Sequence, residues 1–169
     1  MILETKRLIL RKMTLKDTND LLYIFSDPRV MQSFGGELFD YRRMELWIRR
    51  NLAHQEKHGY GLFSVILKEE DTLVGDCGLE HMEVGGQPEV EIGYDIRSDY
   101  WCKGLATEAA GVVRDFAFQQ IRLSRVISLI RPDNVASRRV AEKIGMAKEK
   151  EIVRGGFTYW VYVISQSEI

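Results

Sequence analysis

The stretch Asp99–Gly111, "DYWCKGLATEAAG", hands a strand over to a helix, and its reading decides the fold. It places Lys103 and Gly104 just before the helix and no carboxylate between Tyr100 and Thr107. A helix leaves its first four N–H groups without internal partners, and its dipole favours an anion at that end. Gly104 removes the Cβ that an approaching phosphate would meet, and Ala106 keeps the next turn small. Hydrogen bonds to a charged group contribute about 1.5–3 kcal/mol each, against about 0.3–1 for the dipole. Several amides therefore outweigh the dipole, and Lys103 is an accessory charge. The competing reading is a plain strand-to-helix turn softened by glycine. No GxxxxGK(S/T) occurs, and "GYGLFS" from Gly59 places Ser64 where a dinucleotide fingerprint needs its last glycine.

Outward from this stretch, "PEVEIGYDI" (88–96) leads in as a strand. "RVISLI" (125–130) follows the helix as a continuous apolar run, the mark of a strand covered on both faces. The loop helix is expected from about Leu105 to Gln120, with Leu105, Ala109, Val112, Val113 and Phe116 facing the core. Upstream, "GLFSVILK", "LVGDCGLE" and "PEVEIGYDI" are separated by short turn segments and predict an antiparallel meander. "RLILRKM" alternates as a first strand from about Lys6 to Lys12, and Thr14 with Asp17 heads a helix through Phe25. "SDPRVMQSFGG" reads as a loop. A second helix runs from about Asp40 to His58, with Tyr41, Met44, Trp47, Ile48 and Leu52 on one face and Gly59 as its stop. A helix from Val135 to Lys143 ends at Gly145, and "AKEKEIVR", Gly155–Gly156 and "FTYWVYVIS" make a closing hairpin. A meander followed by a strand–helix–strand crossover implies an α/β chain with a mixed sheet packed against helices.

At 169 residues, with 45% hydrophobic and 29% charged positions, the chain is read as one domain, 1–169, of ordinary globular composition. The formal net charge of −1 gives no basic excess that asks for nucleic acid or an anionic membrane. The N-terminus lacks the apolar core of a signal peptide, and no apolar run reaches membrane-spanning length. Cys77 and Cys102 fit neither a disulfide framework nor a zinc site, so the expected location is the cytoplasm.

"EIGYDIRSDYWCKGLATEAAG", followed by "RPDNVASRRVAEKIGM", resembles the GNAT superfamily of acyl-CoA-dependent N-acetyltransferases, most closely its RimJ/RimL-type branch. The family's phosphate loop, Q/R-x-x-G-x-G/A, lines up with Trp101, Cys102, Lys103, Gly104, Leu105 and Ala106, and the branch variant W-G-K-G-Y-A-T-E-A extends the match through Thr107. Cys102 stands where a glycine is usual and Leu105 where an aromatic is usual. The resemblance covers nearly the whole chain. It implies a mixed, mostly antiparallel seven-stranded sheet flanked by about four helices, splayed between the fourth and fifth strands. The pantetheine arm of acetyl-CoA would lie in that gap as an extra strand does, nearest Ile96 and Arg97. Asn134 and Ser137 would approach the arm and its sulfur. Asn134 also reads as a helix N-cap, and Ser137 lies on the apolar stripe of Val140, Ala141 and Ile144. Arg138 reads either as a phosphate contact or as part of a solvated face.

The implied function is acetyl transfer from acetyl-CoA to a primary amine, either a protein N-terminus or a small molecule, without a metal. A lysine-like amine with pKa about 10.4 is ammonium at neutral pH, so direct attack on the thioester needs a base. Glu89, Glu91 and Asp95 share one face of the strand leading into the loop, and Glu91 is the expected base. The tyrosine that many GNAT enzymes carry one turn after Ser137 is Ala141 here. That leaves Ser137 or water to protonate the leaving thiolate, with Tyr159 and Tyr162 as further candidates. Glu108 reads as structural, favoured near a helix start. Acceptor amines are expected between "SDPRVMQSFGGELFD" and the Gly155–Gly156 hairpin, drawn by Asp27, Glu37 or Asp40. Two rivals remain: a non-catalytic acyl-CoA-binding module on the same fold, and a metal-dependent hydrolase using His54 and His58, one turn apart. An edge strand such as the last offers a route to a homodimer.

Overall fold

The computed structural model describes residues 1–168, and a sheet of eight strands runs through it. The strands are β1 (Ile2–Glu4), β2 (Leu8–Lys12), β3 (Leu62–Leu67), β4 (Thr72–Val84), β5 (Gln87–Ile96), β6 (Arg125–Ile130), β7 (Ala147–Arg154) and β8 (Phe157–Ser165). Their spatial order is β1-β2-β3-β4-β5-β6-β8-β7. Every neighbouring pair is antiparallel except β5 and β6. The expected meander is β3–β4–β5, with β4 and β5 joined by Gly85–Gly86, both at positive φ as a two-residue hairpin demands. Parallel pairing of β5 with β6 comes from the crossover through the loop helix and is confined to one register pair, Glu91 with Ile127. Towards Ile96 the two strands are no longer laddered, which is the splay expected between the fourth and fifth of the seven predicted strands.

Five helices flank the sheet among the described residues: α1 (Thr18–Phe25), α2 (Pro28–Met31), α3 (Tyr41–His58), α4 (Leu105–Gln119) and α5 (Val135–Lys143). The seven strands and four helices expected are thus each one short. The extra strand, β1, is only three residues long, too short for alternation to show. It exists because the chain turns at Thr5, whose N–H bonds to Leu8 O at 3.0 Å, and folds back on β2. The extra helix, α2, is a single turn begun by Pro28 and capped by Asp27, whose carboxylate accepts from Arg29 N.

The two faces of the sheet carry separate cores. On one, α4 buries Leu105, Ala109, Ala110, Val113 and Phe116 against Leu8, Leu10, Phe63 and Ile92, and α5 adds Ala141 and Ile144. On the other, α1 and α3 bury Leu21, Ile24, Phe25, Met44 and Ile48 against Leu62, Ile66 and Leu73. Tyr41, expected inward, is 53% exposed because it occupies the first position of α3, before the helix meets the sheet. Between α1 and the sheet, the buried Asp17 accepts from both Nη atoms of Arg11 (2.8 and 2.7 Å), from Ser64 Oγ (2.9 Å) and from Thr14 N (2.9 Å). The last strand is internal, lying between β6 and β7, so the edge is β7 instead. That strand carries Lys148, Glu149, Lys150 and Glu151, a charged run that disfavours edge-to-edge pairing. No helix among the described residues is long and apolar enough to cross a membrane.

Candidate active site

The loop between β5 and α4 exposes a row of free main-chain donors. Trp101 N closes a short turn onto Ser98 O, and Glu108 N begins the α4 ladder on Gly104 O. Between them, the N–H groups of 102–107 meet no protein acceptor among the described residues. Gly104 caps the helix at φ 76°, and Cys102 takes φ 61° with its side chain exposed. Both positions lie in the left-handed region, where glycine is the comfortable residue. Three contacts brace the loop: Trp101 Nε1 donates to Ile96 O (2.7 Å), Arg7 Nη1 donates to Lys103 O (2.8 Å), and Leu105 is buried in the core. Lys103 lies with its ammonium 4.7 Å from the Tyr100 ring centre. Glu108 is structural, as expected: it accepts from Thr5 Oγ1 (2.5 Å), Arg7 N (2.8 Å) and Arg7 Nε (2.6 Å), tying the start of α4 to the turn between β1 and β2.

Where β5 and β6 part, Glu91 Oε1 accepts from Leu129 N at 2.8 Å. A cleft of about 460 Å³ opens here on the α1–α3 face. Its floor holds Asp76 and Glu80 from β4 with Glu91 and Asp95 from β5, and Phe25, Phe34, Phe39 and Trp47 stand among its walls. Asp76 is opposite Asp95, and Glu80 opposite Glu91, in the β4–β5 register. Burial raises the pKa of all four, reinforced by neighbouring carboxyls for Asp76, Glu91 and Asp95 and opposed by Arg50 for Glu80. Glu91 is pushed up to about 8 and Asp95 to about 7; Asp76 rises well above the usual carboxylate range and Glu80 less so. Sequence reasoning missed Asp76 and Glu80. Their signal was available: two acids four apart in an otherwise apolar strand occupy one face.

Ser137 lines the same cleft, and its carbonyl accepts from Tyr94 Oη at 2.7 Å. Tyr94 projects from the opposite face of β5 to Glu91, and its own pKa is raised by burial, so the phenol stays protonated.

These features have counterparts in known proteins. The profile of the acetyltransferase (GNAT) domain matches residues 7–147. The chain belongs to the GNAT acetyltransferase family. YnaD of Bacillus subtilis (strain 168), described as an uncharacterised N-acetyltransferase, is 30% identical over 174 residues, covering 99% of both chains. The crystal structure of a GNAT-family acetyltransferase from Bacillus anthracis superposes with a TM-score of 0.85 at 30% identity, over 99% of this chain and 100% of that one. RimL, a ribosomal L7/L12 α-N-protein acetyltransferase solved with coenzyme A, shares the fold at a TM-score of 0.82 and 15% identity, over 98% of each chain. The protein is thus an acetyltransferase enzyme.

Within the GNAT frame, several predicted residues are engaged elsewhere. Asn134 is the α5 cap, accepting from Ser137 N (3.1 Å) while its Nδ2 donates to Ser33 Oγ (3.0 Å), so both ends of its amide already have protein partners. Arg138 donates to Pro132 O (2.7 Å) and packs over Trp160. The Arg97 guanidinium pairs with Asp99 (2.6 Å), and the main-chain N–H of Arg97 donates to Val74 O (2.8 Å). Ile96 is buried at the foot of the loop, and Ala106 and Thr107 supply two of the free amides in the first turn of α4. Tyr162 is a core residue bonded to Glu142, whereas Tyr159 does reach the cleft. The cleft lies where the acceptor was expected, between Ser33–Phe39 and the strands flanking Gly155–Gly156. The acids expected to draw an ammonium are occupied, however: Asp27 by Arg29 and Ser98, Glu37 by Arg43, Asp40 by the N-terminus of α3. Glu89, on the Glu91 face, pairs with Arg125 (2.8 Å). His54 offers no free ring nitrogen to a metal: Nε2 accepts from His81 N and Nδ1 bonds Tyr60 O, each at 2.9 Å.

Proposed function

We propose that this GNAT enzyme, acting as one domain of the RimJ/RimL-type branch, moves acetyl from acetyl-CoA to a primary amine by direct attack on the thioester. The observation that carries the reading is the free amide row of 102–107 beside strands that part at Glu91. The diphosphate of acetyl-CoA fits that row, with Cys102, Lys103, Gly104, Leu105, Ala106 and Thr107 donating main-chain hydrogen bonds. Trp101 and Ile96 hold the foot of the loop, and the pantetheine arm occupies the gap between β5 and β6.

Glu91 takes the proton from the attacking ammonium. Its raised pKa suits a base working near neutrality. For the departing thiolate, Tyr94 supplies from β5 the phenol that the family carries where Ala141 stands here, with Ser137 alongside. The phenol hydrogen-bonds the developing thiolate and stabilises its charge. Because the thiol's pKa near 8.5 lies below that of the buried phenol, the sulfur leaves as thiolate and takes its proton from water.

The test follows free thiol release from acetyl-CoA across peptide, diamine and amino-sugar acceptors. Glu91→Gln should bind acetyl-CoA like the parent in calorimetry yet turn over at least about a hundredfold more slowly at neutral pH. An undiminished rate would remove Glu91 from the mechanism.

A further inference from the structure

We propose that the cleft is built for an acceptor with two separated ammonium groups, an alkyl diamine or polyamine, with Asp76 and Asp95 holding the one that does not react. The inference rests on the transfer reaction above and names its acceptor.

The cross-strand pairs Asp76–Asp95 and Glu80–Glu91 put four carboxyls on one face of two adjacent strands. None of them has a lysine or arginine within ion-pair distance among the described residues. The arginines that line the cleft are directed elsewhere: Arg43 to Glu37, Arg131 to Asp133, and Arg154 to the sulfur of Met82. Arg50 reaches Glu80, and Arg154 reaches Glu91, only through their fields. Asp76 supplies the independent sign of a missing partner. It is 1% exposed, it lines the cleft, and its Oδ2 has no hydrogen-bond partner. Such an oxygen is costly to leave unmade in a folded chain. A compact metal ion does not answer it, because no three acidic, histidine or cysteine side chains converge as ligands among the described residues.

The spacing favours an extended cation. Residues four apart on a strand are separated by about 13 Å along it, so the two pairs mark two positions rather than one. The same cleft is lined by Phe25, Phe34, Phe39 and Trp47, with Phe25 packed against the other three rings. Aromatic faces accept both methylene chains and ammonium groups. A protein N-terminus would bring a single ammonium and leave the Asp76–Asp95 pair unanswered.

The test uses diaminooctane and octylamine, matched in chain and differing in one ammonium. Titrated into protein loaded with coenzyme A, the diamine should bind about tenfold more tightly, and it should release protons, read as a heat that changes with the ionisation enthalpy of the buffer. In turnover with acetyl-CoA, Asp76→Asn and Asp95→Asn should each reduce the diamine-to-monoamine ratio of kcat/KM about tenfold. Both substitutions are isosteric, and melting curves confirm that the variants fold. Equal binding of the two amines, an unchanged ratio in both variants, or a clear preference for a peptide α-amine would overturn the proposal. Failure of every amine to release thiol would instead refute the transfer reaction, and the binding comparison would still judge the subsite.

Discussion

Gly104 shows how much of the proposed cofactor grip depends on one missing methyl group. At φ 76° it meets nothing closer than an Arg7 Nη at 3.6 Å, so the space around it is open and the constraint is conformational. Gly104→Val forces a β-branched residue into the left-handed region and sets a branched side chain over the amides. Calorimetry should show acetyl-CoA affinity falling at least about tenfold, and unchanged affinity would mean that the loop is not the phosphate site. Two further residues serve the base and the leaving group. With the Glu91 pKa raised to about 8, its basic form grows as pH rises, so kcat/KM should climb through neutrality and level off above about pH 8. Tyr94→Phe removes the donor while keeping the ring. It should lower kcat about a hundredfold with the KM for acetyl-CoA little changed, and a kcat equal to the parent's would pass the role to Ser137 or water.

Among the elements, β4 places the site. Gly78 has no room for a side chain: a Cβ there would come within 2.2 Å of Gly61 O and 2.5 Å of Leu62 Cα, both main chain. That close approach holds the segment of β4 between Asp76 and Glu80 against the start of β3. Gly78→Ala should therefore separate the strands and lower stability by about 3 kcal/mol, measured by urea unfolding. The periodicity of α3 and α4, the turn at Gly85–Gly86 and the apolar run of β6 were legible in the sequence because each is a local pattern. The free amides of 102–107 were foreseen for the same reason, since the first turn of any helix leaves donors open. Longer-range pairing was not legible. The facing of Asp76 and Asp95 follows from counting back from the Gly85–Gly86 turn, where Val84 lies opposite Gln87, but nothing in "LVGDCGLE" announces that its other edge pairs with β3 through a shift between Val65 and Ile66. Likewise, β8 becomes internal only because the closing hairpin pairs with β6 through its second strand.

Over the whole molecule, two groups of titrating side chains pull stability in opposite directions with pH. His54 stitches α3 to β4 and to the chain entering β3 through bonds to His81 N and Tyr60 O, and burial, with help from His58, lowers its pKa below 6.5. The unfolded chain then binds the extra proton more readily, so His54 favours the fold above about pH 6.5 and weakens it as pH falls. The four cleft carboxyls act oppositely. Their folded pKa values lie above the unfolded range near 4, so the native state holds more protons and stability declines as pH rises from about 4.5 to 8. The carboxyls are four groups, two of them raised to about 8 and about 7, set against the lowered His54 and His58. The carboxyls therefore dominate, and the melting temperature should fall between about pH 5.5 and 8.5. Asp95→Asn should flatten that slope, whereas His54→Gln should steepen it by removing the opposing contribution. A melting temperature that climbed over the same range would mean that water or a fixed cation reaches the carboxyl pairs in the free protein. The cleft would then lack the unpartnered carboxyls that the double-ammonium acceptor requires.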